Sequence, residues 1–454
     1  MKFLRVVLCV FILLALVRFS WAVESPADER DGLSATVGLL PQHHSSGEVG
    51  PTYTLDEIEV MALAGNPEIR VASIKLAVVR ARVPSAGALD DPAFMYRGWQ
   101  VPLSQPWNYN AAQNMFMISQ TLPGRGKRPL RTSLAEADVT EAKAVLDAVR
   151  LDVRIRVQKG FYDLLRAEDG LRIHDQHIDV ARQAIEAARI KYAVGKAPQQ
   201  NILKAQVSLT RLAEHLVRFE QDAEIARARL NTLLGRDPGE PISVRGEHEA
   251  SAALPSLETL EKAALQSRPD LARAQAAADK SRQQQALAKK TYTPDFTVSA
   301  GYMLMPAGSE FRNNYMLEGS INLPWLNHRK HDAEIAEATA MVTEQDAEIA
   351  AMRSAAFGQI QEALVQAQAA QRLANIYHHS LRPQAEATLH STVIAYENDR
   401  TDFLDLLNSQ MTVIDLDLAY FQALAEFESR LADLELAIGT SVNQVQKPSP
   451  EVTR

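Results

Sequence analysis

Residues 63–73 read LAGNPEIRVAS, and residues 265–275 read LQSRPDLARAQ. Each stretch contains a leucine, a short polar cluster with proline, an acidic residue, an Ile or Leu, and then a continuation typical of a helix. The two stretches lie 202 residues apart. This spacing suggests that the chain carries one long pattern twice.

A longer alignment supports the duplication. When residues 55–94 are laid on residues 257–296 without a gap, ten of the 40 positions are identical. The identities include two prolines and one phenylalanine, at Pro67/Pro269, Pro92/Pro294 and Phe94/Phe296. The repeat is far longer than the roughly 20–50 residues of solenoid repeats, so it indicates a duplicated half-structure.

The sequence therefore divides into a small number of segments. The two copies of the unit are residues 54–236 and 256–439, and residues 237–255 link them. An N-terminal extended segment (23–53) precedes the first copy, and a tail that is expected to be disordered (440–454) follows the second. Thr54 and Ser256 are expected to cap helices of about 30 residues, which would contain the NPEI and RPDL motifs.

A change of hydrophobic period follows the first helix of each unit. Residues 296–304 and 315–323 alternate between apolar and other residues, and residues 94–102 and 114–122 show a noisier version. Aromatic strands of about 9–11 residues with one apolar face are typical of outer-membrane barrels. The alternative is a soluble hairpin that packs on helices.

Long helices follow the strands. No proline occurs between Pro129 and Pro198, and a helix over these ~68 residues would be ~100 Å long. Gly195–Pro198 predicts a turn, and a second helix is expected over 199–234, ending at Gly235. In the second copy, Pro383 is expected to kink the long helix. Such helices need lateral neighbours, which indicates an oligomer.

With these elements in place, the chain resembles the TolC-like outer membrane efflux protein family. The resemblance rests on the duplicated unit and on three motifs: SQTLPG at 119–124, YAVGKAPQ at 192–199 and YENDRTDFLD at 396–405. It covers residues 54–439.

The resemblance implies a mostly α fold with a small β part. It implies a homotrimeric α-barrel of long helices, joined to a 12-stranded outer-membrane β-barrel to which each protomer gives four strands. Such a duct conducts solutes, which include metal cations or drugs, from an inner-membrane pump through a periplasmic adaptor (membrane fusion) protein. The NPEI opening and the GKAPQQ tip resemble members that serve resistance-nodulation-division metal exporters of the cobalt-zinc-cadmium type.

The resemblance also suggests a gate at the periplasmic helix tips. By motif position Asp405 is expected to contribute to an acidic ring, and Asp402, three residues earlier, is expected on the same helical face. Asn408 stands where a second acid is common. A ring of carboxylates attracts cations. The alternative is that these acids are solvent-exposed at a helix start, where the helix dipole favours them.

Five further tip residues are candidates for contact with the adaptor or for a latch of the gate. They are Tyr192, Gly195, Lys196, Tyr396 and Arg400. The alternative for the cationic members is simple solvation.

Other functional classes lack support in the sequence. It contains no phosphate-binding loop and no hydrolase or metalloprotease motif, so no enzyme, cofactor or catalytic residue is expected. Histidine pairs occur at 43–44, 174/177, 328/331 and 378–379, but no carboxylate cluster supports them and no metal site is expected. The net charge of −8 argues against nucleic-acid binding.

The N-terminus resembles an export signal. Lys2 and Arg5 precede an apolar run from Val6 to Val17, and Sec-dependent export with cleavage after Ala22 is expected. The only cysteine, Cys9, lies inside this segment. The expected location is the outer membrane with a periplasmic helical extension. Basic residues at 125–128 and 327–331 are expected to contact outer-membrane lipid headgroups.

One function from another class stays open. A periplasmic helical-hairpin protein, structural or adaptor-like, would use the same long helices without membrane strands.

Overall fold

The chain is mostly helical. In the computed structural model, the described residues are 50–246, 250 and 253–446. The expected export signal, most of the N-terminal extended segment and the tail beyond Gln446 lie outside these ranges. The elements up to the link between the halves are, in chain order, β1 (Thr52–Tyr53), α1 (Leu55–Gly65), α2 (Pro67–Ala86), β2 (Ala93–Trp99), β3 (Gln113–Leu122), α3 (Lys127–Ala193) and α4 (Gln199–Leu234).

The second half contains the same order of long elements. They are β4 (Ser243–Val244), α5 (Leu257–Ser267), α6 (Pro269–Lys289), β5 (Phe296–Leu304), β6 (Asn313–Ile321), α7 (His328–Ile376), α8 (Arg382–Glu397), α9 (Phe403–Ile438) and α10 (Val442–Gln446). Strands β1 and β4 pair in parallel and connect the start of the first half to the link between the halves. The helices α4 and α9 have 36 residues each.

The expected first helix of each half is in fact two helices, and this part of the prediction was wrong. Asn66 and Arg268 have extended backbones, with ψ of 126° and 120°, and each directly precedes a proline at the first helical position. A residue before proline is pushed out of the helical region, so NPEI and RPDL each end one helix and begin another. The predicted caps at Thr54 and Ser256 are confirmed, the former as a capping box with Glu57.

The long helix of the second half is interrupted where the sequence predicted. Residues Tyr377–Leu381 form a π-helical turn between α7 and α8, and Pro383 lies at the start of α8. Proline lacks a backbone donor and its ring clashes with the preceding turn, which favours such a local rearrangement. Helix α3, in contrast, runs for 67 residues without a break.

The strands form one antiparallel sheet in the order β2–β3–β5–β6. Residues directly opposite each other share a face, so the register defines two faces of the sheet. One face is apolar and largely exposed, as at Tyr315 (89%) and Leu317 (84%). Its aromatic and aliphatic members across the four strands are Phe94, Tyr96, Phe116, Ile118, Leu122, Phe296, Val298, Ala300, Tyr302, Leu304, Tyr315, Leu317 and Ile321, and the polar Asn114, Gln120 and Asn313 lie on the same face.

Helix α3 lies at the centre of the helical part. Toward the sheet, neighbouring helices follow the order α2–α3–α6–α7, and toward the other end the order is α4–α3–α9–α8. Each half has its own core. In the first, α1 and α2 pack on α3 and α4 around Phe161 and Leu230, and in the second, α5 packs on α7 and α9 around Ile360 and Phe427. This arrangement carries two inter-helix turns, one from each half, to the same end.

Candidate functional site

The first of these two turns joins α3 to α4 and contains Tyr192, Gly195 and Lys196. Gly195 has a φ of +72°, which is the left-handed conformation that favours glycine. The backbone N–H of Lys196 donates to the carbonyl of Lys191 at 2.8 Å, and that of Gly195 donates to Tyr192 at 2.9 Å. This pair of hydrogen bonds is the Schellman motif that ends many helices. Tyr192 and Lys196 have exposed side chains.

The second turn joins α8 to α9 and has the same backbone geometry without glycine. Asp399 has a φ of +53° at the position that corresponds to Gly195. The N–H of Arg400 donates to the carbonyl of Ala395 at 2.8 Å, and that of Asp399 donates to Tyr396 at 3.2 Å. Arg400 is exposed, whereas the ring of Tyr396 packs 5.8 Å from that of the buried Phe403.

Two lysines of the first turn connect the tips. The Nζ of Lys191 lies 3.1 Å from the carbonyl oxygen of Tyr396 and 3.1 Å from Oδ1 of Asp399, and it sits 3.7 Å above the Tyr396 ring. The Nζ of Lys196 lies 3.5 Å from Oδ2 of Asp399. The hydrogen bond from Lys191, with the charges of both lysines, lowers the pKa of Asp399 below its usual value. The carboxylate is therefore charged at neutral pH and links the two tips.

Sequence reasoning missed the central partners of this link. Lys191 and Asp399 were not among the candidate residues, although each is within one helical turn of a residue that was. The usable signal was that Asp399 stands where the first copy has Gly195.

The candidate gate residues lie at the start of α9, but they do not all share one face of the helix. Asp402 precedes the helix with an extended backbone (ψ 171°), and its carboxylate accepts a hydrogen bond from the N–H of Asp405 at 2.9 Å. The expectation that Asp402 and Asp405 share a helical face is therefore corrected, because Asp402 is the N-cap. The Asp405 carboxylate accepts from the hydroxyl of Thr401 at 2.5 Å.

Asp405 and Asn408 line a groove between α8 and α9. Both side chains are exposed, and small hydroxylated residues form most of the rest of the groove. Among these, the hydroxyls of Ser409 and Thr392 lie 3.2 Å apart and connect the two helices. The remaining lining residues are Ala385, Thr388, Ser391, Ala395, Thr401 and Thr412. The groove thus combines one carboxylate and one amide with neutral oxygen groups.

Metal and membrane-helix features can be assessed only where the structure describes the chain. Within 50–246, 250 and 253–446, no group of three or more His, Cys, Asp or Glu side chains is arranged to hold a metal ion. The histidine pair at residues 43–44 lies outside the described residues. In the same ranges, no helix combines the length and the apolar character that a membrane span requires.

Comparisons with known proteins agree with the resemblance read from the sequence. The cobalt-zinc-cadmium resistance protein CzcC of Cupriavidus metallidurans is 24% identical over 314 residues, which cover 69% of this chain and 74% of CzcC. Nodulation protein T of Rhizobium leguminosarum bv. trifolii is 22% identical over 324 residues, with 70% of this chain and 69% of that protein covered. The solved structure of CusC has a TM-score of 0.71 and 15% identity, and the match covers 87% of this chain and 94% of CusC.

A family profile decides the assignment. The profile of the outer membrane efflux protein family matches the chain twice, over residues 60–236 and 260–440. These two matches include the sheet, the long helices and both tips. The chain therefore belongs to the outer membrane efflux protein family and is an outer membrane efflux channel.

Proposed function

We propose that three copies of this chain close into one duct, in which four strands from each protomer form a 12-stranded barrel and the helices form an α-barrel. The observation that carries this proposal is the order of elements. Strands β2 and β6 are the edges of the sheet, and the helix rows end at α2 and α7 on one level and at α4 and α8 on the other. In the sheet and in both helix rows, an element of the first half thus forms one edge, and an element of the second half forms the other edge.

The edge helices support such closure. Three residues of α2, namely Val71, Ile74 and Val78, are each about half exposed although they are apolar. Burying such a stripe against a neighbouring helix is favourable, at about 25 cal/mol per Å². A heterologous contact between the first-half edge of one copy and the second-half edge of the next closes into a ring.

The apolar face of the sheet would contact outer-membrane lipid. Its exposed aromatic and aliphatic residues fit the outward band of a membrane barrel. Arg125 and Arg128 follow β3 and the basic residues at 327–331 follow β6, where they would reach lipid headgroups. Lys127, in contrast, is buried and pairs with Asp295 at 2.7 Å. We also propose that the chain is exported with its signal cleaved after Ala22. Residues 54–236 and 256–439 are proposed to be two copies of one unit. Residues 237–255 join the copies, and 23–53 and 440–454 flank them.

The tips would form the periplasmic end of the duct and meet an adaptor protein and an inner-membrane pump of the resistance-nodulation-division type. Tyr192, Lys196 and Arg400 are the exposed contacts in this proposal. The link from Lys191 to Asp399 would restrain the tips in the closed duct. Asp405 and Asn408 would line the entrance, while Asp402 would hold the helix start in place.

The proposed cargo includes metal cations. The supporting observations are the carboxylate of Asp405 in its groove and the name of the relative CzcC, a cobalt-zinc-cadmium resistance protein. Carboxylates at a narrow entrance favour cations over anions. Drugs remain the second class of cargo that the family resemblance suggests.

Fractionation and subunit cross-linking test the proposed assembly. The chain should appear in the outer-membrane fraction as a heat-modifiable trimer. Paired cysteines on α2 and α7 should cross-link between copies and not within one. A monomer in the soluble periplasmic fraction would contradict the proposal and favour the helical-hairpin alternative.

Ion selectivity tests the gate. Asp405→Asn in pores reconstituted into planar bilayers should reduce the preference for K⁺ over Cl⁻. Asp402→Asn is an informative companion, because asparagine can still cap α9 while the charge is lost. Asp415→Ala, at an exposed acid further along α9, serves as the control. If the reversal potentials of Asp405→Asn and Asp415→Ala are equal, Asp405 has no part in selectivity.

A further inference from the structure

The second face of the sheet carries a block of methionines. Five of the eleven methionines in the chain lie there, although the four strands hold only a small part of the sequence. They are Met95 on β2, Met115 and Met117 on β3, Met303 on β5 and Met316 on β6. These positions alternate with the aromatic positions of the apolar face, so they all point to the opposite side.

The strand register arranges these residues in two adjacent rows. One row across the sheet is Met95, Met117, Gly301 and Met316, and the next is Arg97, Met115, Met303 and Asn314. Directly opposite residues in antiparallel strands have Cβ atoms about 4.5–5.5 Å apart, within reach of a long thioether side chain. Methionine therefore fills five of the eight positions in the block.

Glycine at position 301 lets the first row run across the sheet. A Cβ there would lie 2.8 Å from the carbonyl oxygen of Phe116 and 3.5 Å from the Cβ of Met117. The position cannot hold a larger side chain without a shift of the backbone. Gly301 therefore separates Met117 from Met316 in this row without a side chain of its own.

The methionine face differs from the apolar face in its exposure. Met117 is 5% exposed, and the other four methionines are half-buried, whereas most of the apolar face is open. The row on one side of the block contains Ala93, Ser119, Ser299 and Glu318. A membrane-facing surface would not carry the charges of Glu318 and Arg97, so the methionine face is the inner face of the proposed barrel.

The chemistry of thioethers defines the ligand class. Methionine sulfur is a soft, neutral ligand that selects Cu(I) and similar ions over hard cations such as Mg²⁺. Two polar groups already contact the block. Gln113 donates a hydrogen bond to the sulfur of Met303, and the guanidinium of Arg97 lies 3.7 Å from the sulfur of Met95. Arg97 lies directly opposite Met115 in the second row, and its guanidinium contacts the sulfur of Met95.

We propose that the methionine face binds soft monovalent cations, Cu(I) or Ag(I), inside the barrel, through the thioethers of Met115, Met117 and Met303, with Met95 and Met316 extending the surface. The position inside a closed barrel rests on the proposed function. Met95 and Met316 lie on the two edge strands, so contact between β6 of one copy and β2 of the next would bring methionines to both sides of that contact. Weak sites repeated around a lumen let an ion bind and leave.

Silver binding to the intact trimer tests the proposal. The proposed cleavage after Ala22 removes Cys9, the only cysteine, so no thiol competes in the mature trimer, and the probe is silver nitrate in a chloride-free buffer. Equilibrium dialysis gives the affinity, and silver X-ray absorption identifies sulfur neighbours. The Met115→Leu/Met303→Leu variant, which conserves volume, should bind silver at least about tenfold more weakly than the parent. A large excess of Mg²⁺ should not displace the silver.

Two further variants test whether silver binding depends on the methionines of this face. Met341→Leu/Met352→Leu removes two thioethers from α7, outside the sheet, and should bind silver like the parent protein. Leucine at all five positions of the block should abolish the sulfur signal. Silver binding that is equal in the five-leucine variant and the parent, or absent in the parent, would overturn the proposal.

Conductance separates this proposal from the proposed channel. In planar bilayers, the parent and the five-leucine variant should both conduct K⁺, and silver should reduce the current of the parent alone. Conduction of K⁺ with equal effects of silver on both would overturn the methionine site and leave the channel intact. Trimers that fail to conduct in either form would contradict the closed barrel itself.

Discussion

Asn66 and Arg268 make the same contact in the two halves of the chain, although their side chains differ. The Nδ2 of Asn66 donates a hydrogen bond to the carbonyl of Leu233 at 2.8 Å, and the Nη1 of Arg268 donates to the carbonyl of Ala437 at 2.8 Å. The two carbonyls belong to the last turns of α4 and α9. Each helix break is thus tied to the end of the helix that closes its half.

Removal of the Asn66 side chain should destabilise the first half. In Asn66→Ala, α2 loses the side-chain oxygen that accepts from Glu68 and Ile69, and the carbonyl of Leu233 loses its buried donor. These losses should cost about 2–3 kcal/mol together. Thermal unfolding of the trimer, followed by circular dichroism, measures the effect.

A second substitution at the same position separates the two roles. Asn66→Asp keeps an oxygen for the cap but cannot donate to Leu233. Its unfolding temperature should therefore lie between those of Asn66→Ala and the parent. Ser73→Ala, which removes a hydroxyl bonded only within α2, is the control. Equal unfolding temperatures for Asn66→Ala and Ser73→Ala would show that the contact does not contribute to stability.

The sequence identified this motif but not its role. Identity at Pro67/Pro269 located the two halves, while the hydrophobic pattern on both sides of each proline favoured one continuous helix. What the pattern lacks is the partner, because Leu233 and Ala437 are 167 and 169 residues away and contribute only a carbonyl. Backbone acceptors leave no trace in a sequence. The long helices and strands, in contrast, follow from local periodicity and were predicted within a few residues.

Gly170 should be intolerant of a methyl group. A Cβ at this position of α3 would lie 2.4 Å from ring atoms of Phe219 on α4, so Gly170→Ala forces the ring or the helices to move. The expected cost is about 1–3 kcal/mol, despite the better helix propensity of alanine.

Gly358 on α7 offers a matched control for this glycine. Nothing lies within 4 Å of a Cβ there, so Gly358→Ala should stabilise the helix by up to about 1 kcal/mol. Thermal unfolding of both variants should therefore shift in opposite directions. A shift in the same direction would mean that α3 and α4 can adjust at Gly170 without loss.

Asp399 should restrain the tips through its charge rather than through its backbone. Asp399→Asn retains the tolerance for a left-handed conformation but cannot form the ion pairs with Lys191 and Lys196. If the link keeps the tips closed, single-channel recordings should show more frequent or larger openings than in the parent. Asp399→Gly should behave in the same way.

The control for the tip is Glu397, an acid at the end of α8. Glu397→Gln removes an exposed carboxylate two residues away and should leave the openings unchanged. The pairing of Asp399 with Lys191 could be found only from the structure, because the tips come from segments about 200 residues apart. Openings of Asp399→Asn that match those of Glu397→Gln would remove the link from gating.

His174 should make the helical part sensitive to acid. Its side chain is fully buried beside Phe219, and within the described residues neither ring nitrogen has a hydrogen-bond partner. Burial, together with the nearby imidazoles of His215 and His177, lowers its pKa from 6.5 to about 4. Other charged and titratable groups on the surrounding elements are Asp169, Arg172 and Asp175 on α3, Glu214 and Arg218 on α4, Asp417 on α9, Arg382 on α8, and His378 and His379 in the π-helical turn.

The direction of the effect follows from proton binding. An unfolded chain takes up a proton at His174 below about pH 6.5, whereas the folded chain does so only near pH 4. Stability from this site is therefore complete above pH 6.5 and decreases as the pH falls from about 6.5 to about 4. The loss should reach up to about 3 kcal/mol per protomer.

A non-titrating residue at position 174 should remove most of this acid sensitivity. His174→Leu fits an apolar site between α3 and α4, and its unfolding temperature should fall less than that of the parent between pH 7 and pH 4.5. His390→Leu, at an exposed histidine of α8, should retain the full decrease. Parallel pH dependence in His174→Leu and His390→Leu would mean that other groups govern the acid response.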